Sequence, residues 1–212
     1  MNLQNKIGVV GLGYVGLPLA VAFSKKFDVI GLDIDESRIL ELNQGNDSTL
    51  EVDSSELNAS SRIVFTSDTQ DLEECNFIIV TVPTPVTLDN IPDLDPLINA
   101  SKAIGKILKE GTTVIYESTV FPGATEEICA PILEKESNLR LNTDFYVGYS
   151  PERLSPGDTS HGLEKITKIT SGSNKKSSRI IDNVYKSIIK KGTFPVSSIK
   201  AAEATKIIEN TQ

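Results

Sequence analysis

Six residues constrain this chain more than any other stretch. Gly11-Leu12-Gly13-Tyr14-Val15-Gly16 follows a β-branched apolar run at 6–10 and opens an amphipathic stretch at 15–25. Between a strand and a helix, this glycine spacing marks a dinucleotide-binding turn. The first glycine permits the tight turn, the second lets backbone approach a pyrophosphate, and the third lets helix and strand pack closely. The helix N-terminus then faces the negative charge. Pro18 falls within the first helical turn, where a missing N–H costs little. The same run is apolar enough to suggest a membrane anchor, but Gly8, Gly11, Gly13 and Gly16 break it and α/β patterning follows at once, so no membrane association is expected.

Short β-branched runs recur at 29–33, 62–65, 77–82, 112–117 and 145–149, separated by helical patterns at 37–44, 94–109 and 124–135. That alternation predicts a Rossmann-like, doubly wound α/β fold, a mostly parallel sheet with helices on both faces. A strand at 168–170, a helix at 177–190, a short strand at 193–196 and a last helix at 199–212 complete the pattern. The expected organisation is a dinucleotide-binding domain over 1–198, followed by the start of a central connecting helix over 199–212. With 212 residues and 39% hydrophobic content the chain can bury a sizeable core. A net charge of −8 gives nucleic acid no attractive field, so any phosphate must be held locally. Cys75 and Cys129 have neither metal-type nor redox-type spacing, which predicts a reducing, cytoplasmic setting and no metal site.

Asp33 ends the second strand seventeen residues past Gly16, near the ~20 expected for the acid that bonds the adenosine ribose. A carboxylate there repels a 2′-phosphate, so the cofactor is expected to be NAD rather than NADP. Asp35 reads as a helix cap instead. Ligands of an open parallel sheet sit beyond the carboxyl ends of its strands. That rule selects Pro83-Thr84-Pro85, Ser118-Thr119 and Ser150-Pro151-Glu152-Arg153. Thr119 and Glu152 offer a hydroxyl and a carboxylate where the nicotinamide should lie; the other reading is that they only cap helices. Lys206 and Asn210, four residues apart, share a helix face that suits an oxyanion or a merely solvated surface.

These segments together resemble the N-terminal portion of the UDP-glucose/GDP-mannose dehydrogenase family, along essentially the whole chain. The likeness is carried by Val10-Gly11-Leu12-Gly13-Tyr14-Val15-Gly16-Leu17-Pro18, Val82-Pro83-Thr84-Pro85, Glu117-Ser118-Thr119-Val120, Ser150-Pro151-Glu152-Arg153 and the run from Ala202 to Thr211. It implies a cytoplasmic enzyme making two successive NAD-dependent hydride removals at C6 of a nucleotide-linked hexose, through aldehyde and thioester stages. The product would be a uronic acid donor for polysaccharide assembly. By the same resemblance Tyr14, Val15, Asp33, Arg38, Thr84 and Thr119 are NAD contacts. Glu152 handles the hydrolytic or proton-transfer step, Arg153 and Leu154 lie beside the sugar, and Lys206 with Asn210 steadies oxyanion and water.

Two departures refine the expectation. Family members acting on UDP-glucose continue from Pro-Glu through Phe-Leu to a second Glu; here Arg153 and Pro156 stand at those places. The run from Pro151 to Gly157 is similar instead to the branch oxidising UDP-N-acetylhexosamines. By the same resemblance the family's thioester-forming cysteine is expected to lie beyond the central helix and so beyond this chain, while Cys129 and Cys75 sit in core patterns and are not expected to be the nucleophile. The chain alone is therefore expected to bind NAD without completing the reaction, and the whole protein to dimerise through the central helix. UDP-glucose as substrate, a β-hydroxyacid dehydrogenase of the 6-phosphogluconate type and a non-catalytic NAD-binding module are the alternatives.

Overall fold

The computed structural model describes residues 5–86, 89, 91–152 and 166–210, the side chains of 209 and 210 excepted. Arg153, Leu154 and Pro156 lie outside the described residues, as does the Asn210 side chain. Eight strands form one sheet in the order β3-β2-β1-β4-β5-β6-β7-β8. They are β1 Lys6–Val10, β2 Asp28–Leu32, β3 Ile63–Thr66, β4 Phe77–Val80, β5 Thr113–Tyr116, β6 Tyr146–Tyr149, β7 Lys168–Gly172 and β8 Thr193–Pro195. Neighbours from β3 through β6 pair in parallel, and β7 runs antiparallel to β6 before pairing in parallel with β8.

β4, β5 and β6 are buried at every residue, as strands covered on both faces must be. On one face α1 (Gly16–Ser24) and α6 (Lys175–Lys186) pack Leu17, Phe23, Ile181 and Tyr185 against Val9, Ile79 and Ile115. On the other, α4 (Asp95–Ile107), α5 (Ala130–Ser137) and α7 (Ile199–Asn210) pack Leu97, Ile104, Leu133 and Ala202 against Ile78, Val114, Val147 and Tyr149. The doubly wound fold expected from the sequence is therefore present, with element ends displaced by a few residues. No helix of the described residues is long and apolar enough to cross a membrane.

The pattern at 124–135 is not one continuous α-helix. Thr125–Cys129 forms a π-helical turn, in which the Ala130 N–H reaches back to Thr125 O, and α5 follows from Ala130. Pro131 supplies the reason: it has no N–H to donate and its ring crowds the carbonyl four residues earlier, so the widened turn relieves both conflicts. Sequence periodicity also missed α3 (Ser54–Ala59) and the 3₁₀ segment Thr69–Glu74, both too short to show a period. Helix α2 is Glu36–Asn43, and Asp35 caps it by accepting from the Ser37 and Arg38 N–H groups, as expected.

The antiparallel seam depends on Gly148. A Cβ there would stand 2.2 Å from Ile181 Cδ1 and 2.6 Å from Ser171 O, so α6 and β7 approach only because the side chain is absent. Gly148→Ala should destabilise the fold by about 2–3 kcal/mol through overpacking. In thermal melts that corresponds to a Tm lower by roughly 5–10 °C; a change within about 1 °C would show that the seam is looser than drawn.

Candidate functional site

Because β1, β2, β4, β5 and β6 all point the same way, their carboxyl ends share one rim. At about 4.8 Å per strand, the rim from β2 to β6 spans roughly 19 Å, room for two linked nucleotides. A cleft of about 570 Å³ opens along it. Asp33 lies beyond β2, Gly11, Gly13, Tyr14 and Val15 beyond β1, Thr84 beyond β4, Glu117 and Thr119 beyond β5, and Glu152 beyond β6, and all of them line this cleft.

The glycine loop is braced before any ligand arrives. Asp33 accepts from the Leu12 N–H at 2.8 Å and the Asp35 N–H at 3.0 Å. Thr81 Oγ1 donates to Gly11 O, at 2.7 Å. Arg38 is buried and lies outside the cleft lining: its Nε and Nη2 donate to Leu12 O at 3.0 and 2.8 Å, while Asp47 and Glu41 hold its other face. Burial pushes the Asp47 carboxyl up, but hydrogen bonds from Thr49, Arg38 and the Val52 N–H outweigh it and hold the group below the usual range. Arg38 thus supports the loop from beneath, and the structure gives it that bracing role whatever it adds toward a nucleotide.

Three features fit an NAD cofactor. Helix α1 has Val15 at its N-cap with no side-chain cap, and Gly13, Tyr14 and Val15 just before it line the cleft, so the positive end of the helix lies at the cleft, where it favours a pyrophosphate. A Cβ on Gly13 meets nothing within 4 Å, so its backbone is bare on the ligand side. Thr84 Oγ1 is buried against the cleft with no hydrogen-bond partner, a donor and acceptor waiting for one.

The far end of the cleft holds charged groups that sequence reasoning did not single out. Glu117 is 2% exposed and accepts from Lys168 Nζ at 2.6 Å and from the Tyr185 hydroxyl. Lys168 also stands 3.5 Å from Glu152 Oε2 and donates to Pro151 O at 3.2 Å. Burial raises the Glu117 carboxyl to about 7 against the pull of Lys168. Burial alone would depress Lys168, yet the two carboxylates outweigh it and its pKa rises. Lys206, from α7, donates to the Glu152 backbone carbonyl, so the structure brings these two expected residues together. Thr119 is exposed at the rim beside them. The signal for Glu117 was present in the sequence, an acid at the end of the apolar run Val114-Ile115-Tyr116, whereas Lys168 opens the mixed run Lys168-Ile169-Thr170-Ser171-Gly172 and carried none.

The sequence pattern described as "UDP-glucose/GDP-mannose dehydrogenase family, NAD binding domain" matches residues 5–189. The chain is 59% identical to the UDP-N-acetyl-D-glucosamine 6-dehydrogenase of Pseudomonas aeruginosa, covering 98% of this chain and 49% of that protein. It is 54% identical to the enzyme of the same name from Salmonella typhi, with the same coverage. The solved structure of the UDP-D-ManNAc dehydrogenase from Pyrococcus horikoshii superposes with a TM-score of 0.88 at 34% identity, covering 97% of this chain and 50% of that one. This chain therefore spans about half the length of the relatives it matches.

The glycines separate folding from binding. On Gly16 a Cβ would stand 1.8 Å from Gly11 O and 2.5 Å from Thr81 Oγ1, whereas on Gly13 it meets open space. Gly16→Ala should lower both Tm and NAD affinity. Gly13→Ala should keep stability within about 0.5 kcal/mol of the parent, yet weaken NAD binding in calorimetry by roughly tenfold or more, because the methyl occupies the phosphate's path. Asp33→Ser should cost about 10–100-fold in NAD affinity through a lost charged hydrogen bond, with NADP binding unchanged or improved.

Proposed function

This chain belongs to the UDP-glucose/GDP-mannose dehydrogenase family, and we propose that it is the NAD-binding half of an enzyme oxidising C6 of a UDP-N-acetylhexosamine to a carboxylate. The observation that carries this reading is the meeting of Glu152 and Lys206 at one end of the dinucleotide cleft. NAD, when bound, supplies the electron sink for two successive oxidations at the same carbon. Residues 1–198 serve that cofactor and 199–212 begin the connecting helix.

Thr84 and Thr119 hold the nicotinamide end in place with their hydroxyls. Glu152 moves the proton of the reacting oxygen or of the hydrolytic water. Lys206, with Asn210 one turn on, stabilises negative charge on that oxygen. Arg153 and Leu154 follow Glu152 in sequence and are assigned to the sugar. Burial pushes the thiols of Cys75 and Cys129 up to about 12, so neither is the nucleophile for a thioester. That cysteine belongs to the part of the enzyme this chain does not span. Preference for an acetamido sugar is supported by Arg153 and Pro156 and by the names of the 59% and 54% identical relatives. The product serves polysaccharide assembly, and the whole enzyme works in the cytoplasm as a homodimer joined along the helix that α7 begins.

The test is stoichiometry on the complete enzyme. UDP-N-acetylglucosamine, or its galacto or manno epimer, should reduce two NAD per sugar and outpace UDP-glucose. Glu152→Gln and Lys206→Ala should each lower kcat by about 10²–10⁴-fold while NAD affinity holds. One NAD reduced per hydroxyacid, or full output without Lys206, would hand the assignment to the β-hydroxyacid dehydrogenase or to the non-catalytic module respectively.

A further inference from the structure

Under the sugar-proximal end of the cleft, three ionisable side chains share one buried compartment. Lys168 is the first residue of β7, and because β7 runs against its β6 neighbour, its starting end lies at the rim where the parallel strands finish. Lys168 Nζ is thereby placed between Glu117 at 2.6 Å and Glu152 at 3.5 Å. The side chains are 4%, 0% and 8% exposed respectively. Such a triad is a poor stabiliser: well-packed apolar groups in its place are often neutral or better. Its position beside Glu152 is the better account of why the seam is charged at all.

We propose that Lys168 and Glu117 are positioning residues for Glu152, holding its carboxylate ionised at the cleft floor, with Glu117 competing for the same ammonium. This rests on the reading of Glu152 given above. The groups facing Glu117 are Lys168 from β7, Tyr185 from α6, and Glu152 and Tyr149 from the end of β6. Lys206 of α7 holds the Glu152 carbonyl from the other side. When Glu117 is neutral, the Lys168 charge serves Glu152 alone. When Glu117 ionises, the ammonium is divided and the Glu152 carboxylate becomes more basic. Burial places that change near neutrality, since it holds Glu117 up to about 7.

Carboxyl-detected NMR of the 212-residue chain follows Glu152 directly, its signal identified by its loss in Glu152→Gln. Lys168→Gln should raise the Glu152 midpoint by about one to three pH units, the range expected on losing a nearby opposite charge. Lys168→Arg should restore most of that shift. The parent should also show a second inflection of the Glu152 signal near pH 7, absent in Glu117→Gln. A Lys168→Gln protein that melts cooperatively with an unmoved Glu152 midpoint overturns the proposal. Should that variant fail to fold, Glu117→Gln decides, and an inflection persisting near pH 7 overturns it equally. Full turnover by Glu152→Gln in the complete enzyme would instead remove the catalytic reading of Glu152 and leave the three-group linkage to the titrations.

Discussion

Everything at the rim depends on how closely α1 approaches the loop after β1. Gly16 sits under Gly11 O at a distance that admits no side chain, and Thr81, just past β4, closes the contact with its single hydroxyl hydrogen directed at Gly11 O and Val10 O. Asp33 from the end of β2 and Arg38 from α2 hold the N–H and carbonyl of Leu12. The loop is therefore fixed by β2, β4 and α2 together, and a pyrophosphate meets amides already in place. Little ordering entropy is left to be lost on binding.

The direction of each strand then decides which chemistry arrives. Parallel strands bring residues far apart in sequence to one edge, which is how Asp33, Thr84, Thr119 and Glu152 come to share a cleft. A seventh strand running the same way would have placed Lys168 at the opposite edge. Reversal of β7, made possible by the bare backbone of Gly148 against Ser171 O, delivers a cation to a region holding two carboxylates. One antiparallel pairing thus brings a cation to an edge at which the six parallel strands place two carboxylates.

Much of this was legible in the sequence for a physical reason. Glycines at 11, 13 and 16 are demanded by backbone geometry, and buried parallel strands must be apolar along their length, so both leave marks that need no knowledge of tertiary structure. Residues just past strand ends could be listed by the same logic, and the structure gathers Thr84, Thr119 and Glu152 with Gly13 as that logic requires. What local reading cannot give is pairing. Glu117 and Lys168 are 51 residues apart and meet only through the β6–β7 reversal. Arg38 resembles a cofactor contact by position, and its guanidinium is also engaged by Leu12 of the glycine turn, Glu41 of α2 and Asp47 of a loop with no periodic signal. The π-turn at Thr125–Cys129 is invisible to apolar spacing because that spacing barely changes when a helix widens for five residues.

Glu203 shows how the same kind of long-range pairing fixes the last helix. It is fully buried, and its carboxylate accepts from the Gly123 N–H at 2.5 Å and the Thr125 N–H at 2.9 Å, at the start of the helical segment that follows the Thr119 loop. A negative charge there complements the exposed amides of a helix N-terminus. Three residues on, Lys206 lies on the same face of α7 and reaches the Glu152 carbonyl. One helical turn of α7 therefore touches both the segment after β5 and the segment after β6. Sliding α7 by a residue would break the Glu203 contacts and carry Lys206 with it, so a carboxylate outside the proposed chemistry helps set where the ammonium stands.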